Sequence, residues 1–390
     1  MRALSPPFGT LSLIAKQRTW LVTAFVINNS LPEPLSTVVL EQLKTFNEPL
    51  LNKNLIDAEI LRGLAIDGRC LQVGLVMPYP GQSQYRDLVM ALTNHLAVIE
   101  GIDEVECEIG LNVAAVNSGN AKAHPKIRNV IAVGSGKGGV GKSTTAVNFA
   151  LALAAEGARV GMLDADIYGP SIPTMLGCID FKPTSQDGKT MEPAYVHNMA
   201  VMSMGFLATD DNASAWRGPM AAGAMEQLMN ETNWPELDYL VIDMPPGTGD
   251  IQLTLSQKFP VSGAVIVTTP QEIATLDARK GITMFNKVNV PVLGIVENMS
   301  YHTCENCGSK EHPFGQGGGL ATANRYNVPL LGELPLNVTV REHLDNGTPT
   351  VVAEPESAIS NEYQTIARNV AASLILLSQP DDLSIEITNE

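Results

Sequence analysis

The 390-residue chain contains no run approaching the eighteen or more apolar residues of a membrane-spanning helix, which excludes a helical span. Cysteine is scarce as well. Five in a chain of this size do not make a disulfide framework, and the pair Cys304-x-x-Cys307 points instead to metal or redox use in a reducing compartment. Basic residues are outnumbered, with 25 Lys and Arg against 41 Asp and Glu, a net charge of −16 and a pI near 4.8. A broad surface for nucleic acid or anionic membrane requires a positive field, so the charge balance argues against both. At the N-terminus, Lys16-Gln17-Arg18 precedes apolar Trp20 to Ile27 in the order of a secretion signal, but no convincing small-residue cleavage site follows. Residues 1–30 read as an extension, disordered or an accident of start-site choice. The length predicts two domains.

What is present centres on Gly134-Ser135-Gly136-Lys137-Gly138-Gly139-Val140-Gly141-Lys142-Ser143-Thr144. The spacing G-x-x-x-x-G-K-S/T runs from Gly136 to Ser143, between the strand-like Val130-Ile131-Ala132-Val133 and the helix-forming run Thr145 to Ala155. Strand, glycine loop and helix N-terminus together form a phosphate cradle, because glycines let successive backbone N–H groups turn toward phosphate oxygens. The cradle comprises Gly136, Lys137, Gly138, Gly139, Val140, Gly141, Lys142, Ser143 and Thr144. Lys142 reaches the outer phosphates of ATP and Ser143 a Mg2+ ion. A nucleotide requirement of this kind places the protein in the cytoplasm.

Before the cradle, helical periodicity spans Ser36 to Phe46, Asp67-Gly68 marks a hairpin, and Leu71 to Val76 is its returning strand. Pro78-Tyr79-Pro80-Gly81 breaks that strand, Asp87 to Ile99 is helical, and Val105 to Ile109 is a third strand. Residues 31–115 thus form a small α/β domain, and the polar segment 116–127 a linker. From Asn129 onward strands and helices alternate, which predicts a mostly parallel, doubly wound P-loop NTPase sheet over 128–378, with an acidic tail at 379–390. Cys70 and Cys107 read as small buried strand residues.

Carboxylates fall where ligands bind in such sheets, at the C-terminal ends of strands. Asp243 closes Asp238-Tyr239-Leu240-Val241-Ile242-Asp243 and holds Mg2+ with Ser143. Asp164 and Asp166 follow the strand Arg159 to Leu163. Asp166 is the first choice to orient the attacking water and Asp164 the second, with a plain turn-capping role the alternative for either. The Gly247 N–H is placed to sense the outer phosphate. Lys142 and Asp166 are therefore catalytic candidates, and Lys137 is an extra lysine that an ordinary phosphate loop does not need. Cys304-x-x-Cys307 alone is ambiguous between metal binding, a disulfide and neither, and two thiolates fall short of the four ligands that zinc sites and iron–sulfur clusters favour. His302 and His312 are alternative ligands of lower weight.

Several stretches carry resemblances. Residues 33–113 resemble the small iron–sulfur assembly domain often fused ahead of nucleotide-binding carriers, although the cysteine common after the loop glycine is Gln82 here. Lys137-Gly138-Gly139-Val140-Gly141-Lys142 resembles the deviant phosphate loop of MinD/ParA-type ATPases, which implies a homodimer in which Lys137 reaches the partner's nucleotide. Such a dimer also completes four sulfurs from two copies of Cys304 and Cys307. Together with Asp164 to Ser171, Trp216-Arg217-Gly218-Pro219-Met220, Asp243 to Asp250, Glu297 to Ser300 and Phe314 to Gly319, these motifs resemble the Mrp/ApbC-type iron–sulfur cluster carriers over about residues 125–375. That resemblance implies an ATPase binding a labile [4Fe–4S] cluster at the dimer interface and passing it to apoproteins, with scaffold proteins as further partners. It also implies adenine contacts from Asn298 and the segment around Pro335. A spatial-organising MinD/ParA-type ATPase is the alternative, weakened by the acidic end Gln379 to Glu390, where membrane cycling calls for a basic amphipathic helix. A kinase or ligase is a third reading, and no phosphoryl-acceptor motif supports it.

Overall fold

A computed structural model describes residues 31–116, 121–167, 169–207, 218–304 and 306–378. The N-terminal extension, the acidic tail and Trp216-Arg217 lie outside the described residues. The chain begins with α1 (Leu35–Lys44), which buries Val39 and Leu43, followed by the short antiparallel pair β1 (Asn47–Glu48) and β2 (Lys53–Asn54). β3 (Leu61–Asp67) and β4 (Cys70–Met77) form the expected hairpin. Gly68 supplies the positive φ that its turn requires. α2 (Tyr85–Leu96) then carries the chain over to β5 (Glu104–Leu111), which pairs parallel to β4.

The second group of elements runs β6 (Ile127–Gly134), α3 (Lys142–Ala155), β7 (Val160–Asp164), α4 (Ile172–Met175), β8 (Ala194–Val196), β9 (Met199–Ser203), α5 (Gly218–Asn230) and β10 (Leu237–Asp243). It continues through α6 (Asp250–Lys258), β11 (Gly263–Thr268), α7 (Glu272–Lys287), β12 (Val292–Thr303), β13 (Lys310–Glu311), α8 (Gly318–Tyr326), β14 (Leu330–Pro335), α9 (Val338–Asp345), α10 (Thr350–Ala353) and α11 (Ala358–Ser378). Strand order is β13-β12-β11-β6-β10-β7-β9-β8, with β14 also paired to β12, and every pairing is parallel except β8–β9 and β12–β13. β7, β9, β10 and β11 are buried along their whole length, as strands covered on both faces must be.

Alternation along β6 separates the two cores. Ile131 and Val133 face α3 and α11, whereas Val130 and Ala132 face the side packed by α5, α6 and α7. The first of these cores runs on without a break into the small N-terminal unit through Leu71, Leu75 and Leu92. Polar contacts reinforce it. Glu156, 1 % exposed at the end of α3, accepts from Ser83 N–H (2.9 Å) and Ser83 Oγ (2.6 Å) and pairs with Arg368 of α11. The neighbouring Gln82 N–H donates to the Glu156 carbonyl. The loop position where the resembled assembly domains commonly carry a cysteine therefore packs against the far end of the cradle helix.

Two elements depart from the sequence expectation. β8 and β9 were not legible as strands, since they are short and their two-residue turn, His197-Asn198, reaches positive φ without glycine. The sequence places a strand over Val292 to Glu297, and β12 starts there but continues to Thr303. The pairing register shifts between Glu297 and Tyr301, where Met299 sits at φ +56°, and the strand end gains a second partner in β13.

Candidate nucleotide site and thiol knuckle

Cradle geometry follows from where its glycines sit. A Cβ on Gly136 would lie 2.1 Å from the Asp277 backbone, and one on Gly141, at φ +80°, would lie 2.1 Å from Asn298 Nδ2. Those two glycines are fixed by protein packing. Gly138 and Gly139 face open space, so the cradle mouth has room for a ligand. Asn298, buried on β12, donates from Nδ2 to the Val140 carbonyl at 2.9 Å and braces the loop from behind.

At the helix start, Lys142 Nζ lies 2.5 Å from Asp243 Oδ1 and 3.2 Å from Ser143 Oγ, while Ser143 Oγ donates to Asp243 Oδ2 at 2.6 Å. β10 and β7 set Asp243 in register beside Asp164. Both carboxylates are fully buried, and burial raises both pKa values. For Asp243 the Lys142 ammonium works in the opposite direction; Asp164, facing the Asp243 charge, is pushed up to about 7. Asp164 also accepts from Ser203 Oγ (2.9 Å), Asp166 N–H (3.1 Å) and Ile172 N–H (3.3 Å). With its oxygens engaged in holding the loop after β7, Asp164 is an anchor, and Asp166 is the carboxylate left partly exposed beside the cradle. Gly247 N–H donates to Ser135 carbonyl at 3.0 Å, joining the loop after β10 to the cradle. Thr144 lies in the first turn of α3; Lys137 is half-buried, and its side chain has no hydrogen-bond or ion-pair partner among the described residues.

β12 links this site to the thiols. From Asn298 at the cradle to Cys304 is six residues, at most about 20 Å of extended chain. Cys304 N–H donates to Ser309 carbonyl (2.9 Å) and Gly308 N–H to Cys304 carbonyl (2.8 Å), with Gly308 at φ +71°. The result is a closed knuckle that presents two sulfurs. Cys304 is half-buried and Cys307 exposed, and hydrogen bonds from Ser309 lower the Cys307 pKa, which favours its thiolate. Among the described residues no group of three or more His, Cys, Asp and Glu converges as a metal site. His312 Nδ1 is engaged with the Ser300 carbonyl at 2.8 Å, and His302 faces Glu311 at 4.0 Å.

A residue whose role sequence reasoning missed is Glu297. Fully buried on β12, its carboxylate accepts from Ser300 Oγ (2.7 Å) and from Gly319 N–H at the start of α8, so one side chain holds the bulged strand and the Gly-rich turn together. Its position at the end of an apolar strand was the available signal. Ser203, on the unrecognised β9, carried none.

Residues 126–371 match the family model described as the NUBPL iron-transfer P-loop NTPase. The chain belongs to that family. Residues 36–109 match a second model, for an iron–sulfur cluster assembly protein. This NUBPL-type chain is 54 % identical over 346 residues to the iron–sulfur cluster carrier protein of Escherichia coli K12, covering 88 % of this chain and 93 % of that one. It is 43 % identical over 341 residues to the carrier protein of a Synechocystis strain, covering 86 % and 97 %. Among solved structures, a nucleotide-binding protein from Archaeoglobus fulgidus in complex with ADP matches with a TM-score of 0.53 and 41 % identity, over 60 % of this chain and 90 % of that one. No described helix is long and apolar enough to cross a membrane.

Proposed function

We propose that this protein is an ATP-hydrolysing iron–sulfur cluster carrier that works as a homodimer, receives clusters from scaffold proteins and delivers them to apoproteins. The ATPase unit is residues 128–378 and the small assembly-like unit is 31–115. One observation carries the reading: a two-thiol knuckle follows directly on the strand that braces the phosphate cradle through Asn298.

In this reading ATP binds along Gly136–Thr144, and Lys142 leaves Asp243 for the outer phosphates. The oxygens of Ser143 and Asp243, already side by side, fit a hard divalent cation, and Mg2+ held there would neutralise phosphate charge. Asp166 orients water for attack, and the unpaired Lys137 crosses to the partner's nucleotide. Asn298 lies near enough to the cradle to meet the nucleotide with its remaining oxygen, with the Pro335 segment alongside. The cargo is a labile [4Fe–4S] cluster bound by Cys304 and Cys307 of each of two chains, since one chain supplies only two thiolates.

Anaerobic reconstitution of the full chain with iron and sulfide tests this, read as metal and sulfide content together with mass. Four irons and four sulfides per dimer are expected. Retention of that content by Cys304→Ala/Cys307→Ala protein overturns the assignment.

A further inference from the structure

Between α6, α7, α8 and the loop after β10 lies a cavity of about 410 Å³ whose lining includes none of the cradle residues. Arg279, Lys280, Thr283 and Lys287 line it from a single face of α7, at the spacing that aligns side chains on successive turns. Thr248 and Tyr326 supply hydroxyls opposite, and among the described residues no acidic side chain lines the cavity. In a chain of net charge −16 such a concentration of cations is out of keeping with the rest of the molecule. Lys280 pairs with Asp277 at 2.9 Å, but Arg279 and Lys287 have no ion-pair partner among the described residues. Arg279 Nε is sealed from solvent and donates to nothing. Arg279 as a whole is half-buried, and the terminal nitrogens of its planar fork match the oxygens of a carboxylate or phosphate.

We propose that this cavity binds a small polyanion bearing two or more carboxylate or phosphate groups, with Arg279 and Lys287 as its charge partners and the hydroxyls of Thr248 and Tyr326 orienting it. This site is separate from the nucleotide and thiol sites and does not depend on the carrier reading. It does touch the nucleotide machinery. Thr248 follows Gly247, whose N–H holds the cradle through Ser135.

Isothermal titration of the full chain, free of magnesium and at low ionic strength, tests the proposal with citrate and pyrophosphate as separate probes. One site per chain is expected for at least one probe, and which probe binds distinguishes a carboxylate from a phosphate ligand. Affinity should fall at least tenfold in Lys287→Ala, an exposed position where folding is not at stake, and likewise in Arg279→Ala. Lys142→Ala, which removes the cradle lysine, should leave this site's affinity unchanged. No binding of either probe overturns the proposal. So does binding that Lys142→Ala abolishes and Lys287→Ala retains.

Discussion

Replacing Glu156 probes how firmly the small unit is fixed to the cradle helix. In the wild type this 1 % exposed carboxylate accepts both Ser83 donors and the Arg368 guanidinium, itself only 11 % exposed at its side chain. Breaking a buried ion pair by removing one partner costs about 3–5 kcal/mol. Arg368 would retain Ser83 Oγ (2.8 Å) and Thr365 Oγ1 (2.9 Å), which favours the lower end, about 3 kcal/mol for Glu156→Ala. Glu156→Gln keeps an acceptor for Ser83 and should cost about 1–2 kcal/mol. Lys122 and Lys126 lie between the two units on backbone that Leu237 N–H pins at the Lys126 carbonyl, so limited trypsin digestion there reports loosening of that segment. At 1.4 kcal/mol per tenfold, Glu156→Ala should speed cleavage there by about a hundredfold when opening is fast. Urea unfolding followed by circular dichroism supplies the matching loss of stability. Glu156→Met/Arg368→Met, which removes both charges, should recover most of that loss. A Glu156→Ala protein that unfolds within about 1 kcal/mol of wild type and is cut no faster would refute the latch.

Three further outcomes follow from the cradle. Lys142→Ala should abolish nucleotide binding, while Lys137→Ala should bind nucleotide with near wild-type affinity and lose hydrolysis by about a thousandfold, the scale of a lost transition-state cation; wild-type turnover by Lys137→Ala sinks the crossing lysine. Gly141→Ala combines a left-handed φ with a clash against Asn298, so equilibrium dialysis should find its ATP affinity at least tenfold down, and unaltered affinity would contradict the packing. Asp164, raised to about 7 when folded, keeps its proton where the unfolded carboxylate has lost it, so the folded state binds more protons and stability of the ligand-free protein should fall as pH rises from about 4 to about 7. Urea titrations across that window should show a shallower fall in Asp164→Asn, and identical slopes would count against the raised pKa.

Much of this was readable in the residues because the signals were redundant. β7 and β10 are largely apolar runs ending in Asp164 and Asp243, and the glycine loop sits between another largely apolar strand, β6, and the helix α3, so period, composition and motif agree. The hairpin at Asp67-Gly68 carries its own turn chemistry. β8 and β9 lacked such agreement, with strands of three and five residues and a turn built on His197 and Asn198. Asp164's role as an anchor was likewise hidden. It depends on Ser203, 39 positions away, and on two backbone donors whose direction is decided by tertiary packing.

The unexpected length of β12 bears most directly on function. Had the strand ended at Glu297, the cysteines would have sat on a free loop with no fixed relation to the cradle. Instead Asn298 grips the cradle, Met299 takes the left-handed bend, Glu297 and Ser300 tie the bend to the start of α8, and β13 closes the hairpin around Cys304 and Cys307. A paired strand transmits displacement better than a loop, and between Asn298 and Thr303 the pairing is to β14 at Tyr301 and to β13 at His302 and Thr303. In the proposed carrier, a shift of the cradle on exchanging Lys142 from Asp243 to phosphate would have a short mechanical route to the thiols. The bulge is the one point on that route where the register already slips, so it is where a change at the nucleotide would become a change in sulfur position.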